Sequence, residues 1–169
     1  EYRIFIPIED IPETVKIAFI SSEDKNFYSH IGVDFFGIIR AACRNLLNIF
    51  NDKRPQGAST ITQQVAKNFF FDDEIALSRK IKEALLAIKI EGTLTKNRIL
   101  ELYLNQIYLG SGTYGVAAAS NRYFSKSLNE LTIADAAYLA ALPKAPNNYN
   151  PKRNYEAALG RRNWVLNRM

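Results

Sequence analysis

The sequence predicts an all-α domain, and three observations carry that prediction. Apolar residues recur at helical spacing in one segment after another, most of them bounded by capping residues, Pro or Gly. No run of strand–helix alternation and no internal repeat interrupts the pattern. The chain has 169 residues, 47% of them hydrophobic and 23% charged, which suits one sizeable folded domain spanning residues 1–169.

The elements follow in order. Residues 2–8 (Y-R-I-F-I-P-I) alternate weakly around a proline and read as an extended segment or edge strand. Pro12 suits a first helical position, with Val15, Ile17, Ala18 and Ile20 carrying a short helix into Ser21-Ser22-Glu23. Asp34 is a good N-cap for a helix bearing Phe36, Ile39, Ala42 or Cys43, Leu46 and Leu47, which fades at Asn51. The polar stretch N-D-K-R-P-Q-G (51–57) reads as a flexible loop able to gate a cleft. Ser59 or Thr60 caps the next helix, through Asn68, with Thr60 three residues ahead of Gln63. Asp72, Asp73 and Glu74 open a longer helix to about Gly92 whose apolar face is Leu77, Ile81, Ala84 or Leu85, and Ile88. Thr95 begins another, with Ile99, Leu102, Tyr103 and Ile107 inward and Gly110 as C-cap. G-S-G-T-Y-G-V-A-A-A-S (110–120) is a tight loop entering a closely packed helix. T-I-A-D (132–135) is a capping box for a helix ended by Pro143, and a last helix covers about Tyr155 to Arg168.

A net charge of +5 makes an anionic partner plausible. The single cysteine, Cys43, excludes an internal disulfide and any multi-cysteine metal site, and its apolar neighbours point to a buried, inert thiol. With one histidine as well, a zinc site would have to lean on carboxylates. No apolar run reaches the ~20 residues that span a bilayer. The abrupt start without Met suggests a segment of something longer, with its membrane anchor elsewhere.

Three stretches hold residues with chemistry. In S-E-D-K-N-F-Y-S-H-I-G (22–32), Glu23 and Asp24 follow an apolar helix and precede Phe27 and Tyr28. A carboxylate against apolar surface is a candidate acid or base, because desolvation disfavours its charged form. The plainer reading is that Asp24 caps a turn, Glu23 is solvated, and His30 is a packed, hydrogen-bonded histidine. In G-A-S-T-I-T-Q-Q-V-A-K-N (57–68), Thr60, Gln63, Gln64, Lys67 and Asn68 form a polar stripe suited to sugar hydroxyls and a phosphate, or simply a capped surface helix. In R-K-I-K-E (79–83), Arg79 and Lys80 pair with Glu83 at i,i+4 and i,i+3. That is either a surface salt bridge or a cationic cluster for a pyrophosphate built around a second carboxylate.

These stretches resemble, in order, the first three signature motifs of the peptidoglycan glycosyltransferases, sequence family 51. The patterns E-D-x-x-F-x-x-H-x-G, G-x-S-T-I-T-Q-Q-x-x-K-N and R-K-x-x-E are complete here. The fourth motif is similar to I-L-E-L-Y-L-N-Q-I-Y-L-G-S-G-T-Y-G-V-A-A-A-S-N-R-Y-F (99–124) and the fifth to A-A-Y-L-A-A-L-P-K-A-P-N-N-Y-N-P (136–151). The match covers nearly the whole chain.

The resemblance implies an all-α, lysozyme-like fold with a larger head lobe and a smaller, membrane-facing jaw lobe. It implies polymerisation of lipid II, the undecaprenyl-pyrophosphate disaccharide-pentapeptide, onto a growing lipid-linked glycan strand at the outer face of the bacterial cytoplasmic membrane. Residue by residue, Glu23 would be the general base and Glu83 would orient nearby cations or a divalent metal. Lys67, Arg79 and Lys80 would stabilise the pyrophosphate, Arg40 would contact phosphate or sugar, and Ser59, Gln63, Gln64 and Asn68 would bind donor saccharide. An inverting displacement needs one base and a stabilised leaving group, with no enzyme nucleophile. Family members often work with Mg2+ or Mn2+, though none is expected to be obligatory and the sequence holds no dedicated metal cage. Moenomycin-type inhibitors would take the donor side. Ile38, Leu46, Leu47, Ile49, Phe50 and the F-F-F at 69–71 would dip into the outer leaflet or fill a core. The run A-L-G-R-R-N-W-V-L-N-R-M resembles the exit toward the transpeptidase of bifunctional class A penicillin-binding proteins, and no S-x-x-K or K-T-G transpeptidase motif is present. A lysozyme-like hydrolase using Glu23 as acid is the nearest rival. A module binding anionic lipid or nucleic acid is the non-enzymatic one, and dispersed basic residues speak against nucleic acid.

Overall fold

The computed structural model describes residues 2–48, 59–68, 76–151 and 153–169, among which lie eight α-helices and two two-residue strands. The all-α class holds. The helices are α1 Glu13–Glu23, α2 Phe35–Asn48, α3 Ile61–Lys67, α4 Ala76–Glu91, α5 Lys96–Gln106, α6 Val116–Phe124, α7 Ile133–Ala141 and α8 Tyr155–Leu166. The chain divides into two compact units, residues 1–25 with 95–169, and residues 26–94.

In the first unit the extended start of the chain is a strand, β1 (Tyr2–Arg3), pairing parallel to β2 (Thr113–Tyr114). The sequence reading had left β2 inside a loop. Two side chains hold the stretch after β1 against α5. Asn105 exchanges two hydrogen bonds with the Ile6 backbone, accepting its N–H at 2.8 Å and donating to its carbonyl at 2.9 Å, and Glu101 accepts the Ile8 N–H at 2.9 Å. Thr95 caps α5 as expected, but the helix closes at Ile107 rather than Gly110. The T-I-A-D capping box opens α7, Thr132 accepting the Asp135 N–H and the Asp135 carboxylate accepting the Thr132 N–H. Its six buried residues, Ala136–Ala141, let α1 and α8 approach closely. Phe19, Ile99, Leu100, Leu104, Leu109, Leu139 and Leu142 are fully buried in this unit.

In the second unit, Asp34 caps α2 by accepting the Gly37 N–H at 2.8 Å. Thr60 and Gln63 form a capping box on α3, and Thr60 Oγ1 also donates to the Gly32 carbonyl at 2.6 Å. Thr62 donates to Glu91 at 2.6 Å, tying α3 to α4. The apolar faces that spacing picks out on α2 and α4 are turned outward. Phe36 is 82% exposed, and Ile39, Leu46, Ile81, Leu85 and Ile88 are exposed as well. Among the described side chains of these helices, the buried positions are Gly37, Ala41, Glu83 and Ala87. Cys43 is exposed, not buried, because it lies on the outward face of α2. The 51–57 loop, Ile49, Phe50, the F-F-F stretch and Asp72–Glu74 lie outside the described residues, as do the side chains of Leu47 and Leu77.

Candidate active site

Glu23 closes α1, an 11-residue helix whose last turn is held from two sides within the first unit. The Ser22 hydroxyl donates to the Ala140 carbonyl of α7 at 2.8 Å, and its oxygen lies 3.4 Å from Glu23 Oε1. Arg168 donates through Nε to the Ser21 carbonyl at 2.5 Å, meeting one of the orphan acceptors of the helix end with positive charge. Glu23 is half-buried, and Asp24, its C-cap neighbour, is buried. Asp24 therefore does occupy a helix-capping position, whereas Glu23 is not simply solvated.

Two groups that no sequence motif links to Glu23 are coupled to it electrostatically. Tyr103, on α5, is buried against Phe19 with ring centroids 6.2 Å apart, and among the described residues its hydroxyl has no hydrogen-bond partner. Burial, reinforced by the charges of Glu23 and Asp24, pushes its phenol well above the ordinary tyrosine range. Arg161, on α8, stacks on Trp164 at 3.7 Å. Burial lowers its pKa, against the opposing pull of Tyr149 and Glu23. Periodicity marks Tyr103 as inward and nothing more. No spacing rule links either residue to Glu23, so no local signal could have found them.

The second unit holds the remaining residues singled out from the sequence. Glu83 is 1% exposed, with Lys80 Nζ at 2.5 Å from Oε2 and Arg79 Nε at 3.5 Å from Oε1. Arg79 Nε and Glu83 Oε1 are both buried and form an ion pair without a hydrogen bond. The hidden Glu83 carboxylate departs from the surface salt bridge of the plainer reading of R-K-I-K-E. Lys80 also reaches Ser59 Oγ at 3.5 Å, bringing together residues from the second and third motifs. Lys67 and Asn68 are exposed at the end of α3, and Gln64 is half-buried. Gln63 is buried, and its carboxamide oxygen accepts the Thr60 N–H at 2.9 Å. It serves the cap, the plainer of its two readings. Arg40 is exposed on α2, where its charge helps hold Asp34 ionised. His30 is packed, its ring edge-on to Phe27 and its Nδ1 accepting the Gly32 N–H at 3.1 Å.

Among the described residues Glu83 faces the two cations Arg79 and Lys80, and no three His, Cys, Asp or Glu side chains cluster as a divalent ion would need.

A family model described as Transglycosylase matches residues 1–169. The chain belongs to the transglycosylase family. Penicillin-binding protein 1A of Rickettsia bellii is 56% identical over 169 residues, which are all of this chain and 21% of that protein. The protein of the same name from Aquifex aeolicus is 57% identical over 167 residues, 99% of this chain and 23% of that protein. The crystal structure of penicillin-binding protein 1A from Haemophilus influenzae matches with a TM-score of 0.57 at 30% identity, covering 100% of this chain and 15% of that one. The chain thus spans about a fifth of the length of the curated relatives it matches. The transglycosylase fold here is all-α and lysozyme-like, as expected from the motifs.

Proposed function

We propose that this chain is a peptidoglycan glycosyltransferase module that polymerises lipid II into β-1,4-linked glycan strands, with inversion and release of undecaprenyl pyrophosphate. The observation that carries the reading is the buried Glu83 set between Arg79 and Lys80, with a buried Arg79 N–H that has no hydrogen-bond acceptor among the described residues. A pyrophosphate oxygen is the acceptor that such a donor takes up, and fixed positive charge is what a diphosphate leaving group requires. Glu23 removes the proton from the 4-hydroxyl of the acceptor sugar. The freed oxygen attacks the anomeric carbon of the growing strand, and the diphosphate departs with its charge stabilised by Lys67, Arg79 and Lys80. Arg40 adds charge for phosphate or sugar. Ser59, Gln64 and Asn68 hold donor saccharide, while Gln63 shapes the start of α3 and has its oxygen committed there. Glu83 orients the cations, and no step runs through a metal.

Exposed Phe35, Phe36, Ile38, Ile39 and Leu46 on α2, and Ile81 and Leu85 on α4, support a membrane surface as partner, since these side chains lack an apolar cover. No helix among the described residues is long and apolar enough to cross a membrane. The working location is the outer face of the bacterial cytoplasmic membrane, in a parent of the bifunctional penicillin-binding kind, a reading that the likeness to penicillin-binding protein 1A supports, with moenomycin-type inhibitors taking the donor side. A muralytic hydrolase would need no cation cluster around a second carboxylate.

Lipid II polymerisation in detergent tests the reading, with wild type compared against Glu23→Gln. The expected result is glycan polymer from wild type and none from the variant, at equal helical content. Equal activity would remove Glu23 from the role of base and shift attention to Glu83. Release of muropeptides from finished cell wall would favour the hydrolase.

A further inference from the structure

The Tyr103 hydroxyl is a donor buried from solvent, and among the described residues it has no hydrogen-bond partner. Such a group is costly to maintain unless another state of the protein uses it. Its position narrows the users. The ring lies edge-on to Phe19, which precedes Glu23 by one helical turn, so the phenol lies along the end of α1 that carries Glu23 and Asp24. Both carboxylates act electrostatically on the phenol, and their negative charge keeps it protonated, hence a donor. Arg161, on α8, is also coupled electrostatically to Glu23.

We infer that Tyr103 is a positioning residue for Glu23, its buried O–H donating to the Glu23 carboxylate, directly or through one water, when the base is aligned for proton removal. This rests on the glycosyl-transfer reading for its consequence but not for its geometry. The hydroxyl never meets substrate. It limits the orientations of the carboxylate and stabilises its ionised form.

The test is Tyr103→Phe, which deletes one oxygen and leaves the ring in place. Because the lost group is unpaired, melting should stay at the wild-type temperature. In lipid II polymerisation kcat should fall about tenfold with KM held within about twofold. The acidic limb of the pH–rate profile should move to higher pH, since the ionised base has lost a donor. The Glu23 carboxyl, followed by carbon-13 NMR in wild type and variant, should titrate at higher pH in the variant. Coincident titrations and unchanged kcat would overturn the inference and leave Tyr103 as core packing. If wild type itself makes no polymer, the transfer reading fails. The carboxyl titration then decides the positioning role alone, a displaced midpoint supporting it and a coincident one refuting it.

Discussion

Replacing Gly32 with alanine separates two costs that usually arrive together. Gly32 has φ +97°, and a Cβ there would lie 2.7 Å from the Ala87 carbonyl carbon and oxygen and 2.9 Å from the Ile88 nitrogen. Those neighbours are backbone of α4, so α4 or the 26–34 loop has to shift. Gly112 has φ +72° with nothing within 4 Å of the added carbon. Both substitutions carry the left-handed penalty of about 1–2 kcal/mol. Only Gly32→Ala adds overpacking, about 1–3 kcal/mol. The totals are about 3.5 kcal/mol for Gly32→Ala and about 1.5 kcal/mol for Gly112→Ala, or roughly 10 °C and 4 °C in Tm for a chain of this size. The Gly32 carbonyl also accepts from Thr60, so strain there reaches the cap of α3 and the helix that carries Lys67. Urea unfolding followed by far-UV circular dichroism on both variants measures the difference. Equal losses would refute the close backbone contact between Gly32 and α4 as the reason for glycine.

Glu83→Ala leaves Arg79 and Lys80 without their shared carboxylate. Because these cations keep partial access to water, the loss should be about 2 kcal/mol, below the usual cost of breaking a buried pair, and an unchanged urea midpoint would contradict the burial of Glu83. Stability should also fall in acid. Burial pushes the Asp34 carboxyl up, but the Gly37 N–H, the Asn26 amide and the charges of His30 and Arg40 outweigh it. Burial likewise opposes Lys126 and Thr132 at Asp135 and is overcome. Both folded carboxyls titrate below their unfolded counterparts, so their contribution is complete above the ordinary value of about 3.9 and is lost as pH falls through the lowered one. Tm should therefore be flat from neutral pH to about 5 and drop below about 4, with a shallower drop in Asp34→Asn. A Tm insensitive to that descent would refute the assignment.

Much of the secondary structure was legible because its signals are local. Asp34, Thr60 with Gln63, Thr95 and Thr132 with Asp135 each close a hydrogen bond within three residues, and each begins a helix where the sequence placed one. The motif order likewise carried the family and the separate identities of Glu23, Lys67, Arg79, Lys80 and Glu83. The local rules failed in the second unit. Apolar spacing on α2 and α4 shows which side chains share a face, but it cannot say whether anything covers that face. There Phe36, Ile39, Ile81 and Leu85 stand exposed while Glu83 is buried.

What the sequence by itself determined is the helical class, most helix starts and the family, since each rests on residues near one another or on an ordered set of motifs. Only the tertiary structure decided that R-K-I-K-E hides its carboxylate, that Gln63 commits its oxygen to a cap, and that Tyr103 and Arg161 act on Glu23. Burial and electrostatic coupling join residues as far apart as Glu23 and Arg161. Such distances are set by how helices pack, and no spacing within a single helix encodes them.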